Sequence, residues 1–145
     1  MKLKEILKYK GSNVITIGPD ATLYDALHKI IENKVGALLV KAGPNRHTGI
    51  ITERDIMREV YKNTSLNDTC VTDVMTREMI IGAPDDDFEY AMSEMTEGRF
   101  RHMPIVENDT LVGIISIGDI VKAQLRHTKH QVNQLIDYVA TPLTE

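Results

Sequence analysis

The chain has 145 residues, of which 42% are apolar, 26% charged and 5% aromatic, a composition that suits one compact domain or two half-size units sharing a core. Its longest stretch without a polar side chain, Val35 to Val40, is far short of the roughly 18 residues of a membrane span, and no signal-length apolar run follows the basic residues Lys2, Lys4, Lys8 and Lys10. Seventeen Lys plus Arg against 21 Asp plus Glu give a net charge of −4, the wrong sign for broad contact with a phosphate backbone, so neither membrane nor nucleic acid is an expected partner.

In chain order, an approach segment with Leu3, Glu5, Ile6 and Leu7 leads to a short β-rich run, Val14 to Ile17, ended by Gly18 and Pro19. Leu23, Ala26, Leu27, Ile30 and Ile31 then form one helical stripe, opened by a Thr22/Asp25 capping box. Strands over Ala37 to Val40 and Gly49 to Thr52 flank a Gly43-Pro44-Asn45 turn, and a second helix begins near Glu53. The series then restarts. Val71, Asp73, Val74 and Met75 lead to a strand over Met79 to Ile81, ended by Gly82 and Pro84. A helix carries Phe88, Ala91, Met92 and Met95 behind Asp87, with Asp85, Asp86 and Asp87 as an acidic cluster at its start. Strands over Met103 to Val106 and Leu111 to Ser116 flank an Asn108-Asp109 turn, and a last helix begins near Ile117. Within it Val121, Leu125, Thr128, Val132, Leu135 and Val139 advance by 4, 3, 4, 3 and 4, a heptad seam broken only by Thr128 and stopped by Pro142. Such a helix packs either on its own domain or against a second chain.

The restart is a tandem duplication. At an offset of 65, shortening to 64 in a loop, Pro19, Asp20, Ala26 and Glu32 match Pro84, Asp85, Ala91 and Glu97. Gly49, Ile50, Ile51, Asp55 and Ile56 match Gly113, Ile114, Ile115, Asp119 and Ile120, while Lys34 aligns with Arg99. Repeats are expected over 1–66 and 67–121, with a helical extension over 122–145. A unit of about 60 residues is marginal alone, so the two βαββα units should pack together about a pseudo-twofold axis, giving a mixed α/β (α+β) fold.

Enzyme signatures fail on named residues. Gly113 to Gly118 has Walker A spacing, but Asp119 follows where a phosphate-binding lysine is needed. Ser116 lacks the first glycine of a nucleophile elbow, which is Ile114. His127 and His130 have no third ligand nearby, so no metal site is expected, and the single cysteine, Cys70, reads as a free thiol in a reducing cytoplasm. What remains is Gly49-Ile50-Ile51-Thr52-Glu53-Arg54-Asp55-Ile56 and its echo Gly113-Ile114-Ile115-Ser116-Ile117-Gly118-Asp119-Ile120. A hydroxyl with an acid three residues on is a capping box. The same helix start also offers amide N–H groups and a hydroxyl to a phosphate, and its Asp can accept both hydroxyls of a ribose 2′,3′-diol. Capping accounts for the spacing but not for the Gly-Ile-Ile before both copies, and that favours a ligand site.

These motifs, with Phe100-Arg101-His102-Met103-Pro104-Ile105-Val106 and Asp73-Val74-Met75-Thr76, closely resemble a pair of CBS domains, or Bateman module, over residues 1 to about 121. The resemblance implies a non-catalytic regulatory module that binds adenine nucleotides in two quasi-equivalent clefts between the repeats. It implies phosphate contacts at Thr52 and Ser116, ribose contacts at Asp55 and Asp119, and adenine held by Ile15, Thr16 and Ile17 or by Met79, Ile80 and Ile81. Basic phosphate contacts would come from Arg101 and His102, joined by Arg99 and Arg54, whereas copy one has Gly36 and Ala37 at the positions of Arg101 and His102. AMP is the foremost ligand implied, with ATP, ADP, NAD(H) and S-adenosylmethionine compatible. A homodimer that signals occupancy to a regulated protein is expected. The alternatives are an NAD(H) sensor using the same cleft and a ligand-free dimerisation module whose motifs act only as caps.

Overall fold

Two β-hairpins, each set between helices, carry the duplication into three dimensions. The computed structural model describes residues 1–44 and 46–140. Its elements are α1 (Leu3–Lys10), β1 (Thr16–Ile17), α2 (Leu23–Asn33), β2 (Ala37–Gly43), β3 (Arg46–Thr52), α3 (Glu53–Tyr61), α4 (Phe88–Gly98), β4 (His102–Glu107), β5 (Thr110–Ser116) and α5 (Ile117–Ala140), with a 3-10 turn at Val71–Asp73. In repeat one, β2 pairs with parallel β1 and antiparallel β3; in repeat two, β4 and β5 form an antiparallel pair. Asn108 and Asp109, both at positive φ, close the second hairpin as a two-residue turn requires. Asn45 of the first turn lies outside the described residues, as does Pro142.

The strand expected over Met79 to Ile81 does not form; a single parallel bridge from Gly82 to Ile105 stands in its place. In repeat one the Leu39 N–H donates to the Ile15 carbonyl at 3.1 Å. The corresponding residue of β4 is Pro104, which has no N–H to give. Repeat two therefore keeps only the pairing equivalent to that of Ile17 with Val40: the Gly82 N–H donates to Pro104 O and the Gly82 carbonyl accepts from Val106 N–H, each at 2.9 Å.

Helix α2 starts as expected, with Asp25 N–H donating to Thr22 Oγ1 at 3.1 Å and Thr22 N–H to Asp25 Oδ2 at 3.0 Å. Leu23, Ala26 and Ile30 are buried and Leu27 is half-buried, but Ile31 is 65% exposed. The stripe is thus narrower than its spacing implied, because the sheet covers only one edge of the helix. Helices α2 and α4 end on Lys34 and Arg99, each in the left-handed conformation.

The approach segments are exchanged between repeats. Leu3, Ile6 and Leu7 of α1 pack with Ala91, Met95, Met103, Ile105, Ile115 and Ile120 of repeat two, while Val71 and Met75 pack with Leu23, Ala26, Leu38, Ile51 and Ile56 of repeat one. Antiparallel bridges pair Lys2 with Asp87 and, equivalently, Cys70 with Thr22. A third cluster of Ala37, Leu39, Ile50 and Ile114 joins the repeats. The exchange explains the repeated Gly-Ile-Ile. A Cβ on Gly113 would sit 2.6 Å from Leu7 Cδ2, and one on Gly49 would sit 2.6 Å from Met75 Sδ. Leu7 and Met75 are the matched residues of the two approach segments, so each glycine admits the segment exchanged into its repeat. The first Ile then faces the joint cluster and the second faces its own repeat's core. Packing accounts for the triplet without a ligand.

The acidic cluster also does more than complement a helix dipole. Asp87 is the N-cap of α4 but makes no side-chain capping bond. It pairs instead with Lys2 at 3.2 Å, and Asp85 pairs with Lys4 at 2.8 Å, while Asp86 Oδ2 accepts the Ala83 N–H at 2.8 Å. Two of the three acids therefore fasten α1 onto repeat two. Helix α5 contributes Ile120 and Ala123 to the core. Arg126 still stacks over the Tyr9 ring of α1, 4.3 Å from its centroid, but Leu125, Val132, Leu135, Ile136 and Val139 are all exposed, so the packing of its seam on its own domain is not realised.

Candidate functional site: two clefts built across the repeats

Each cleft combines the hydroxyl–Asp helix start of one repeat with the extended run before the first helix, and the basic residue that ends that helix, of the other. The first, about 310 Å³, is lined by Thr52, Glu53, Arg54, Asp55 and Arg58 from repeat one and by Met79, Ile80, Arg99, Phe100, Arg101 and His102 from repeat two. The second, about 260 Å³, is lined by Ser116, Asp119 and Lys122 from repeat two and by Val14, Ile15, Lys34 and Gly36 from repeat one, with Lys10 from α1 and again His102. Small-molecule sites generally occupy about 300–1,000 Å³, so the first cleft stands at the lower edge of that range and the second just below it.

At the first helix start, Asp55 N–H donates to Thr52 Oγ1 at 3.2 Å, and Thr52 N–H and Oγ1–H reach Asp55 Oδ2 at 2.9 and 3.0 Å. The other oxygen, Oδ1, accepts from Arg58 Nη1 at 3.0 Å. Asp55 is buried, and this network is what compensates its desolvation. At the second start, Asp119 N–H donates to Ser116 Oγ at 3.1 Å and Ser116 N–H to Asp119 Oδ2 at 2.8 Å. The cation here comes from elsewhere: Lys10 Nζ lies 2.7 Å from Asp119 Oδ2 and also donates to the Ile114 carbonyl. Burial opposes the Asp119 charge, but the hydrogen bonds from Lys10 and Ser116 outweigh it and hold the carboxyl below its ordinary range. Both Asp residues are thus capping-box members, yet both also face a cleft.

His102 lines both clefts. Gly36, aligned with Arg101, makes room for it, since a Cβ there would stand 2.8 Å from His102 Nε2. Burial pushes the imidazole below its ordinary pKa, with Lys10 and Arg101 reinforcing the shift and Glu53 and Asp119 opposing it. At neutral pH His102 is therefore a neutral donor and acceptor.

The structure brings Thr52, Arg54, Asp55, Met79, Ile80, Arg99, Arg101 and His102 together at the first cleft, and Ile15, Ser116 and Asp119 at the second. Thr16, Ile17 and Ile81 line neither. Ile17 is buried in the core of repeat one, and Ile15, two residues back on the same strand face, packs at the edge of that core where it borders the cleft. Sequence reasoning missed Arg58, Glu53 and Glu78 in the first cleft and Lys10, Lys34 and Lys122 in the second. The duplication carried part of that signal, for Lys34 aligns with Arg99 and Lys122 with Arg58. Among the described residues no group of three His, Cys, Asp or Glu could hold a metal, and no helix is long and apolar enough to cross a membrane.

The CBS domain model matches residues 4–62 and 71–126, one match per repeat. The chain belongs to the CBS domain family. The CBS domain-containing protein CBSX3, mitochondrial, of Arabidopsis thaliana is 34% identical over 146 residues, covering 94% of this chain and 71% of that protein. Against another Arabidopsis relative, CBSCBSPB2, the chain spans only 22% of the partner's length, at 30% identity. Among solved structures, a CBS-domain containing protein from Agrobacterium tumefaciens superposes with a TM-score of 0.82 at 37% identity, covering 86% of this chain and 99% of that one. A CBS domain protein from Pyrobaculum aerophilum complexed with AMP shares the fold, with a TM-score of 0.73 at 24% identity over 82% of this chain and 89% of that one.

Proposed function

We propose that this CBS pair is a non-catalytic regulatory module that binds adenine nucleotides, AMP foremost, and passes its occupancy to a partner protein in the cytoplasm. The observation that carries the reading is the composition of the first cleft. Met79, Ile80, Ile50 and Phe100 offer an apolar surface to a base, Asp55 offers a carboxylate to a ribose diol, and Thr52, Arg99 and Arg101 offer a hydroxyl and two guanidinium groups to a phosphate. Those groups match the three parts of AMP in kind. The same fold holds AMP in the Pyrobaculum protein. Neither cleft brings a nucleophile together with a base and an oxyanion site, so the chemistry supports binding. The exposed seam of α5 fits a homodimer, in which two such stripes cover each other.

Thermal unfolding tests the reading. At about 100 times its dissociation constant, a ligand that binds only the folded state adds roughly 2.7 kcal/mol. AMP is expected to raise the melting temperature and adenosine to raise it less. NAD(H) raising it more than AMP would favour the dinucleotide reading, and no shift with AMP, ATP, ADP, S-adenosylmethionine or NAD(H) would leave the module a ligand-free dimerisation unit.

A further inference from the structure

The two clefts handle their ribose-facing carboxylates differently. In the first, Asp55 is held by Arg58, one turn along its own helix. In the second, Lys122 occupies the position of Arg58 and lines the cleft, yet Asp119 pairs with Lys10 of α1. The register that matches Leu7 with Met75 carries Lys10 onto Glu78, an acid in the first cleft. The charge at this point of the duplication is therefore reversed. The contact is partly buried, with the side chains of Lys10 and Asp119 30% and 18% exposed.

Asp119 Oδ2 accepts both Lys10 Nζ and the Ser116 N–H. A diol that engages both carboxylate oxygens must compete with Lys10 for Oδ2. A nucleoside offers the displaced ammonium nothing, and a partly desolvated cation left without its anion is costly. A nucleoside phosphate offers it a replacement anion within the same cleft, beside Lys34, Lys122 and the Ser116 hydroxyl. The lysine stem is flexible enough to make this exchange alone, while Leu3, Ile6 and Leu7 stay anchored in the core of repeat two.

We propose that Lys10 is a specificity-determining residue of the second cleft: it withholds Asp119 from nucleosides and yields it to ligands whose phosphate takes over its ammonium. The inference rests on the nucleotide-binding reading above. In the first cleft Glu78 stands where Lys10 would be, and the cation on Asp55 is Arg58 of its own helix, so no group from the approach segment is there to be exchanged onto a phosphate.

Methyl NMR separates the clefts, with Ile15 and Ile114 reporting the second and Met79 and Ile80 the first. AMP and adenosine are titrated into the wild-type chain, Lys10→Gln and Lys10→Arg. In the wild type, AMP is expected to bind the second cleft at least about tenfold more tightly than adenosine. Lys10→Gln should narrow that ratio by about tenfold, adenosine gaining while AMP loses, with the ratio at the first cleft unchanged; Lys10→Arg should keep it wide. An unchanged ratio in Lys10→Gln, or equal losses for both ligands, would overturn the role of Lys10 while leaving nucleotide binding intact. No methyl shift at either cleft with wild type and AMP would instead remove the nucleotide reading, and this inference with it.

Discussion

The first cleft is lined by arginines and the second by lysines, although both descend from one duplicated unit. Arg54, Arg58, Arg99 and Arg101 share the first with Glu53, Asp55 and Glu78, whereas Lys10, Lys34 and Lys122 share the second with Asp119. Guanidinium groups present a planar fork suited to bidentate phosphate contact, while an ammonium acts as a mobile point charge. The difference teaches that duplication preserved the backbone frame, with its capping boxes, left-handed helix ends and exchanged approach segments, while the charges on that frame diverged. The frame gives two clefts, and the side chains make them unequal.

The largest expected effect breaks the frame itself. Gly113→Val would drive a side chain into Leu7 and loosen α1 from repeat two, costing about 1–3 kcal/mol by overpacking. Gly49→Val should cost a similar amount through Met75 and Thr76. Chemical denaturation measures both, and a neutral result at either position would contradict the exchanged-segment packing. Of similar size, but in binding rather than in folding, Arg101→Ala removes a charge-assisted contact worth about 1.5–3 kcal/mol from the first cleft. Calorimetry should show AMP weakened far more than adenosine, and parallel losses would assign Arg101 a structural role.

Asp55→Asn and Asp119→Asn sharpen the comparison further. Asn still caps a helix, so each start should weaken by about 1 kcal/mol or less from lost capping. Asp55→Asn should cost little beyond that, because Arg58, whose side chain is 65% exposed, returns to solvent when its partner charge is removed. Each variant should lose ribose discrimination only in its own cleft, as 2′-deoxy-AMP would reveal. Equal AMP binding by the wild type, both single variants and the double variant would leave the two Asp residues as caps alone.

The smallest effect is in the pH profile. His102 has a lowered pKa in the folded chain, so between its ordinary value near 6.5 and that lower value the unfolded chain binds more protons. Its contribution to stability is therefore full above about 6.5 and declines as pH falls through that window. Asp119, whose pKa is also lowered, behaves in the same sense at lower pH: its contribution is present above the ordinary carboxylate pKa and is lost as pH falls through its depressed folded value. His102→Gln should flatten the stability profile just below pH 6.5, measured by denaturant midpoints, and an unchanged slope would show that the ring is not desolvated. If protonated His102 contacts phosphate, AMP affinity should rise only below the same pH.

Much of this architecture was legible in the chain because duplication displays every element twice. The hairpins, the capping boxes at Thr22, Thr52 and Ser116, and the helix starts all follow local rules that need no tertiary information. Tertiary facts were less accessible. Pro104 suppresses the second copy of the first strand only because that strand needs a donor from β4. The meaning of Gly49 and Gly113 depended on which segment crosses them, and matching Leu7 to Met75 did not reveal that the two are exchanged. Thr52, Asp55, Ser116 and Asp119 could be singled out by their pattern, but Lys10 lies far from Asp119 in sequence, and the cation chosen by each carboxylate appears only once α1 is docked.

If the clefts bind an adenine nucleotide as proposed, the first, with its apolar wall and its arginines, fits it best. A crystal structure of the chain grown with saturating AMP tests this most directly. The predicted result places the ribose hydroxyls on Asp55, the phosphate against Thr52 and Arg101, and the base against Met79 and Ile80, with the first cleft filled at least as fully as the second. Electron density for AMP in neither cleft, or AMP bound away from Thr52 and Asp55, would contradict it.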